Sequence, residues 1–341
     1  MATTIKDVAH ECGLSITTVS LVLNNKPNRI SEKNKQKIFE AAQKLNYIPS
    51  QTAVSMKTKK TNTIGLILPD INNNYFSELA KSMEEECSLH GYTVIYGNTS
   101  DNPKKDLTYT TTFLSKGVDV LVVIHSNISS LKEQKKILEL AQSTNTPLLS
   151  IDREFEKIDV SSISVDRFSG SYQAVKHLTD LGHTRIGCIT GTNHSKRSSQ
   201  RLQGYKQALS DAGLPFEDEL VYSGDFHVES GSDAFFYLWN QGVTAIFACN
   251  DVMAMGVYLE ARRANIDIPR DLSVVGFDDI FFAKYIYPPL TTVAQPITEI
   301  GYEAAQQALS MASSTHASTK STILKTSFVL RESTAPPNIR K

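Results

Sequence analysis

From residue 63 onward, short apolar runs alternate with helical stretches, and this alternation restricts the chain to parallel-sheet architectures. The strand-like runs are 64–68, 93–96, 120–124, 148–151, 186–189, 245–248 and 273–276. Between them lie helical patterns such as 75–89, 172–181, 202–212, 234–240 and 253–264. Repeated β-α-β order calls for parallel strands covered by helices on both faces. The segment is long enough for two such lobes. Ligands of these folds sit beyond the carboxyl ends of the strands, so the residues just after each strand carry the functional information.

Those residues are polar or aromatic in nearly every case. Strand one leads into Asp70-Ile71-Asn72-Asn73-Asn74-Tyr75-Phe76, strand four into Asp152-Arg153, and the run at 186–189 into a loop toward Arg201. Later runs end in Gly224-Asp225-Phe226, Cys249-Asn250-Asp251, Gly276-Phe277-Asp278-Asp279 and Val293-Ala294-Gln295-Pro296. Asp, Arg, Asn and Gln donate to and accept from hydroxyls in plane. Tyr75, Phe76 and Phe226 can cover the apolar faces of a sugar ring. A single Asp after a strand is more often a helix N-cap, and Asp251 and Asp278 fit that reading as well.

The first 60 residues read differently. Apolar positions Ile5, Val8, Ala9 and Cys12 form one helical face, and Gly13 breaks it. Ser15 is a good N-cap for a helix over 16–23 with Val19, Val22 and Leu23 inward, and a third helix from Ser31 to Leu45 buries Ile38, Ala41, Ala42 and Leu45. Helix, glycine turn, helix and supporting helix is the helix-turn-helix plan, whose second helix enters the major groove. That helix exposes Ile16, Thr17, Thr18, Ser20 and Leu21, which suit phosphates and thymine methyls. Charge agrees. The net value is −1, yet residues 1–60 hold ten Lys or Arg against four Asp or Glu, a surplus of six, which leaves −7 for the remainder. A basic head on an acidic body points to a polyanionic partner for the head alone.

Other classes fit poorly. No apolar run approaches the length of a membrane span, the first residues lack the pattern of an export signal, and the four cysteines show neither disulfide nor metal spacing. We therefore expect a cytoplasmic protein without metal or cofactor. A dehydrogenase or kinase would need a G-x-G-x-x-G after strand one or a G-x-x-x-x-G-K-[ST] loop, and neither occurs. The eight histidines form no recognisable triad with a Ser or Cys, and His183 suits a structural helix-to-strand turn.

The segment TIKDVAHECGLSITTVSLVLNNKPNRISEKNKQKIFEAAQKLNYIPS resembles the headpiece of LacI/GalR-family regulators, and the body resembles the periplasmic-binding-protein fold of the same family. The resemblance implies an all-α helix-turn-helix head (1–48), a hinge helix (49–60) and an α/β effector and dimerisation domain (61–333), then a tail (334–341). Lobe one would hold 61–161 and 292–322, and lobe two 162–291 and 323–332. The resemblance assigns Ile16, Thr17 and Leu21 to base edges, and Ser15, Thr18, Ser20, Asn24 and Tyr47 mainly to the sugar-phosphate backbone. Leu21 stands where the family often has Arg, so the operator should differ there. Met56 takes the place of the leucine wedge that kinks the minor groove. The nearest comparison is the family's ribose operon repressors. It implies effector contacts from Asn73, Tyr75, Phe76, Asp152, Arg153, Arg201, Phe226, Asn250, Asp278 and Gln295, with Tyr75 replacing a phenylalanine. The implied partners are operator double-stranded DNA, a sugar and a second copy of the chain; the tail has no leucine heptads for a tetramer. Three rivals remain: a sugar-transport binding protein, which would need an export signal and no basic head; a catabolite control-type regulator answering to a phosphorylated carrier protein; and a repressor for another pentose or hexose.

Overall fold

A computed structural model of the chain describes residues 3–24, 29–48, 60–192, 196–314 and 319–338. It divides into two compact units, Met1–Thr61 and Asn62–Lys341. The hinge segment expected at 49–60, including the wedge residue Met56, lies outside the described residues except for its last position.

In the first unit, α1 (Ile5–Cys12), α2 (Ile16–Leu23) and α3 (Glu32–Lys44) surround a core of Val8, Ala9, Val19, Val22, Ile38 and Ala41. The ends of α1 are set by local chemistry. The Thr4 amide and hydroxyl both donate to the Asp7 carboxylate, at 2.8 and 2.7 Å, which offsets orphan N–H groups of the first turn. Gly13, at φ 67°, closes the helix in the left-handed region that costs glycine least.

The second unit contains β1 (Thr63–Leu68), α4 (Asn74–Leu89), β2 (Thr93–Asn98), α5 (Pro103–Ser115), β3 (Val120–Val123), α6 (Leu131–Ser143), β4 (Leu148–Ile151) and β5 (Ser161–Val165). There follow α7 (Arg167–Asp180), β6 (Ile186–Thr190), α8 (Lys196–Asp211), β7 (Val221–Ser223), α9 (Val228–Asn240), β8 (Ala245–Ala248), α10 (Asp251–Arg263) and β9 (Ser273–Val275). The chain ends with β10 (Thr292–Ala294), α11 (Ile297–Ser313), β11 (Ser321–Leu324) and β12 (Ser327–Val329).

Two parallel sheets define two lobes, with strand orders β11-β5-β4-β3-β1-β2 and β7-β6-β8-β9. Strand alternation builds the cores. Ile64, Leu66 and Leu68 of β1 belong to the cluster that includes α4 and α11 residues, and Ile67 to the cluster that includes Phe113 and Ile137 of α5 and α6. A third cluster fills lobe two around Phe235, Phe247 and Val274.

The lobe edges fall later than the sequence suggests. Ser161–Val165 pairs with β4, and Ser321–Leu324 pairs with β5, so the first and last crossings come after Val165 and after Leu324. Polar alternation in SSISV concealed β5. The segment that closes the chain, β11 and β12, is two strands in different sheets, because β12 turns to pair antiparallel with β10. The crossing segments are tied together: the Asp166 amide donates to the Leu324 carbonyl at 2.9 Å, and the Thr326 hydroxyl to the Asp166 carbonyl at 3.2 Å.

Helices α9 and α10 touch backbone to backbone. A Cβ on Gly231 would stand 2.0 Å from the Met253 carbonyl oxygen, and one on Gly256 2.1 Å from that of Val228. Neither neighbour is a flexible side-chain end, so the helices would have to separate. Gly256→Ala should cost about 1–3 kcal/mol and lower the melting temperature of this unit by several degrees in a thermal scan; an unchanged midpoint would show that the helices can slide apart freely.

Candidate effector cleft and nucleic-acid surface

The strand ends of both lobes converge on one cleft, and each contributes a side chain held by local structure. After β1, Asn73 caps α4, its Oδ1 accepting from the Tyr75 amide at 3.1 Å. This puts Tyr75 and Phe76 in the first helical turn, both buried, their rings edge-to-face at 5.1 Å. Asp152 and Arg153 follow β4, Phe226 follows β7, and Asp278 follows β9. Asp152, Phe226, Asp278 and Asp279 have φ of 60°, 74°, 117° and 57°. Non-glycine residues resist such conformations, and Asp152, Phe226 and Asp278 adopt them at the strand ends, while Asp279 turns away to pair with Arg331 at 2.7 Å. Asn250 is the N-cap of α10: its Oδ1 accepts from the Met253 amide at 2.9 Å, and its amide donates to the Phe226 carbonyl at 3.0 Å. Asp251, one of the two expected caps, is instead the first residue of α10. Its carboxylate is wholly buried and accepts from the Thr292 hydroxyl at 2.6 Å and the Ile280 amide at 2.9 Å. Burial, with Asp278 nearby, pushes its pKa well above the ordinary carboxylate value. Asp278 caps no helix either; it faces Gln295 and Arg201.

Nine of the ten expected effector residues line a single cavity of about 300 Å³: Asn73, Tyr75, Phe76, Arg153, Arg201, Phe226, Asn250, Asp278 and Gln295. The tenth, Asp152, lines the neighbouring cavity but reaches this one through the Tyr75 hydroxyl, 3.4 Å from its Oδ1. The same hydroxyl stands 3.4 Å from Gln295 Oε1, and Gln295 Nε2 donates to Asp278 Oδ1 at 2.6 Å. Arg153 Nη1 donates to Asp101 Oδ1 and to the His125 carbonyl, both at 2.6 Å, with its guanidinium 5.5 Å from the Phe76 ring centre. Arg201 lies over Phe277 at 4.1 Å and Phe226 at 5.9 Å.

Arg201 is the least satisfied of these groups. It is 1% exposed, its ion pair with Asp278 is a long 3.4 Å contact from Nη2, and its Nε has no hydrogen-bond partner among the described residues. Burial lowers its pKa from the ordinary arginine value, and Asp278 works against that shift. A buried donor without a partner costs roughly 1–3 kcal/mol, so the fold keeps Arg201 in the cleft wall at an energetic cost. Aromatic faces beside in-plane donors and acceptors suit reversible binding of a hydroxylated ring.

Further lining residues were not among the expected contacts: Asp101, His227, Val252, Met255, Ile280 and Phe282. Asp101 was within reach of the strand-end rule, but β2 runs to Asn98 rather than Tyr96. No group of three or more His, Cys, Asp or Glu able to hold a metal occurs among the described residues, and no helix among them is long and apolar enough to cross a membrane. His183 is buried in a structural role, its ring bonded to Thr244, Ser273 and the Ala335 carbonyl.

In the head, Ile16 and Thr17 are exposed, and Thr18, Ser20 and Leu21 are half-buried on α2. Ser15 Oγ accepts from the Thr18 amide at 3.1 Å. Asn24 closes α2, donating to the Ser20 carbonyl at 2.8 Å, and Tyr47 packs against the core, so both also have structural work. Ser15→Ala should therefore destabilise α2 by about 1 kcal/mol, read as faster amide hydrogen exchange in α2, whereas Thr17→Ala should leave that exchange unchanged.

Comparison with known proteins places this geometry. The profile of bacterial regulatory proteins of the lacI family matches residues 4–50, and that of the periplasmic binding protein-like domain matches residues 175–334. The chain is similar to the HTH-type transcriptional regulator DegA of Bacillus subtilis, 38% identical over 339 residues, 99% of this chain and 100% of the other. It is also similar to catabolite control protein A of Priestia megaterium, 34% identical over 308 residues, 88% of this chain and 90% of the other. Among solved structures, the lac repressor dimer bound to operator and the anti-inducer ONPF superimposes with a TM-score of 0.85 at 26% identity, covering 98% of this chain and 100% of that one. A LacI family regulator from Enterococcus faecium with bound ribose gives a TM-score of 0.73 at 29% identity, covering 81% of this chain and 100% of that one. The chain belongs to the LacI family of effector-controlled, DNA-binding transcriptional repressors.

Proposed function

We propose that this chain represses a sugar-utilisation operon and leaves its operator when a monosaccharide, ribose first among the candidates, binds between the lobes. The observation that carries the reading is the single cavity lined by Tyr75, Phe76 and Arg153 from one lobe and by Arg201, Phe226, Asn250 and Asp278 from the other. A ligand touching both lobes favours the closed arrangement and can shift an equilibrium only through such differential contacts. The similar Enterococcus faecium regulator holds ribose, which supports the choice of sugar.

In this reading two copies of the chain place their α2 helices on the two halves of a pseudo-palindromic operator. Ile16, Thr17 and Leu21 meet base edges, Ser15, Thr18, Ser20, Asn24 and Tyr47 meet the backbone, and Met56 wedges the minor groove. Closure of the lobes removes the packing that the hinge segments need, and affinity falls. A coupling of about 1–3 kcal/mol gives a 5- to 150-fold change. The similarity to catabolite control protein A favours a second reading, in which a phosphorylated carrier protein raises DNA affinity instead.

An operator obtained by selection from random duplexes with the full chain allows the two to be separated. Saturating ribose should weaken operator binding 5- to 150-fold. Arg201→Ala and Asp278→Ala should abolish that response while leaving sugar-free affinity within about twofold, and Thr17→Ala should weaken DNA binding with or without sugar. Unchanged affinity in ribose would sink the proposal, and tighter binding with a phosphorylated carrier protein would establish the second reading.

A further inference from the structure

Asp101 lines the effector cavity and ties together the loops that follow the first four strands. It leaves β2 in a turn whose two residues, Ser100 and Asp101, are both left-handed, at φ 53° and 52°. Its amide donates to the Pro69 carbonyl, after β1, at 3.2 Å. Its Oδ1 accepts from the Asn127 amide, after β3, at 2.8 Å and from Arg153 Nη1, after β4, at 2.6 Å. The His125 carbonyl holds the same Nη1 at 2.6 Å, and the guanidinium stands 5.5 Å from the Phe76 ring centre. Arg153 is thereby fixed in place on the cavity wall.

Holding the loops requires an acceptor, not a charge. An asparagine oxygen at 101 could accept from Asn127 and Arg153 in the same way. The negative charge has a separate consequence. A guanidinium facing a ligand cavity is a natural anchor for phosphate, which it can grip with two parallel hydrogen bonds. With Asp101 on Nη1, Arg153 instead presents a neutralised pair, and the side chains of that pair are only 23% and 6% exposed. Charges so sheltered interact at an effective dielectric well below that of water. Among the described lining residues, Asp70, Asp101, Glu229 and Asp278 stand against Arg153 and Arg201, so a phosphate meets a surplus of like charge. Glu229 is exposed and screened by solvent. Asp278 is engaged by Gln295 and Arg201. Asp101 is the carboxylate whose loss most directly uncovers a cation.

We infer that Asp101 is a specificity-determining residue of the cleft: its charge, paired with Arg153, keeps phosphorylated sugars out while leaving free sugars admitted. The inference rests on the sugar-responsive reading above and adds to it the residue that tells a sugar from its phosphate ester.

Titration calorimetry of the full chain with two ligand pairs tests it: D-ribose with D-ribose 5-phosphate, and D-glucose with D-glucose 6-phosphate. The parent should bind the free sugar of at least one pair about tenfold tighter than its ester. Asp101→Asn should raise the affinity for that ester about tenfold, a gain that damage to the fold does not produce. Asp101→Ser should shift the ratio of the two affinities the same way, since any loss common to both ligands cancels in the ratio. Asp101→Glu should keep the parent's preference. A parent that takes the ester as tightly as the free sugar overturns the inference and leaves the sugar-responsive reading standing. An Asn or Ser variant whose ratio stays at the parent value overturns it in the same way, as does a Glu variant that gains the ester. Binding of none of the four ligands, to parent or variants, overturns both readings together.

Discussion

Parallel strands joined by helical crossovers all end at the same edge of their sheet, and the rest of this protein's effector chemistry depends on that. The connecting backbone turns sharply at each strand end, on the side that faces the opposite lobe. Asp152, Phe226 and Asp278 sit at those turns with positive φ, so the local backbone is strained where the side chains meet. Two sheets placed with their strand ends toward each other bring such turns from both lobes onto one space. Two of the three crossing segments between the lobes are tied to each other by the Asp166–Leu324 and Thr326–Asp166 hydrogen bonds.

The cleft holds charge at an energetic cost. Arg153, Arg167, Arg201, Asp152, Asp251 and Asp278 are all buried. Their pairing repays only part of the desolvation, and the orphan Nε groups show where the pairing stops. This is the expected behaviour of a binding site: groups left short of partners in the free protein are those that gain most from a ligand. It also explains why Asp278, shared between Gln295 and Arg201, occupies the point where the two networks meet.

Much of this was legible in the residues. The apolar runs located seven strands, and the rule that function follows the strand end pointed to nine side chains that line one cavity. What escaped did so for physical reasons. Strand β5 reads as polar because its serines are buried in hydrogen bonds, as Ser162 and Ser164 are to Ser321 and Glu154. The split of the last strand depends on a pairing with β10 that no local pattern encodes. Asp251 looks like a helix cap from its neighbours, and only tertiary packing turns its carboxylate inward to Thr292. In the head, the helices were plain from periodicity, yet the packing of Tyr47 against the core is a tertiary fact.

The central claim is that a sugar is gripped by strand ends of both lobes at once. Amide hydrogen exchange on the full chain, with and without saturating ribose, tests it most directly. The account predicts slowed exchange in 70–76 of the first lobe together with 249–253 and 276–279 of the second. Protection confined to one lobe, or none at all, would contradict it.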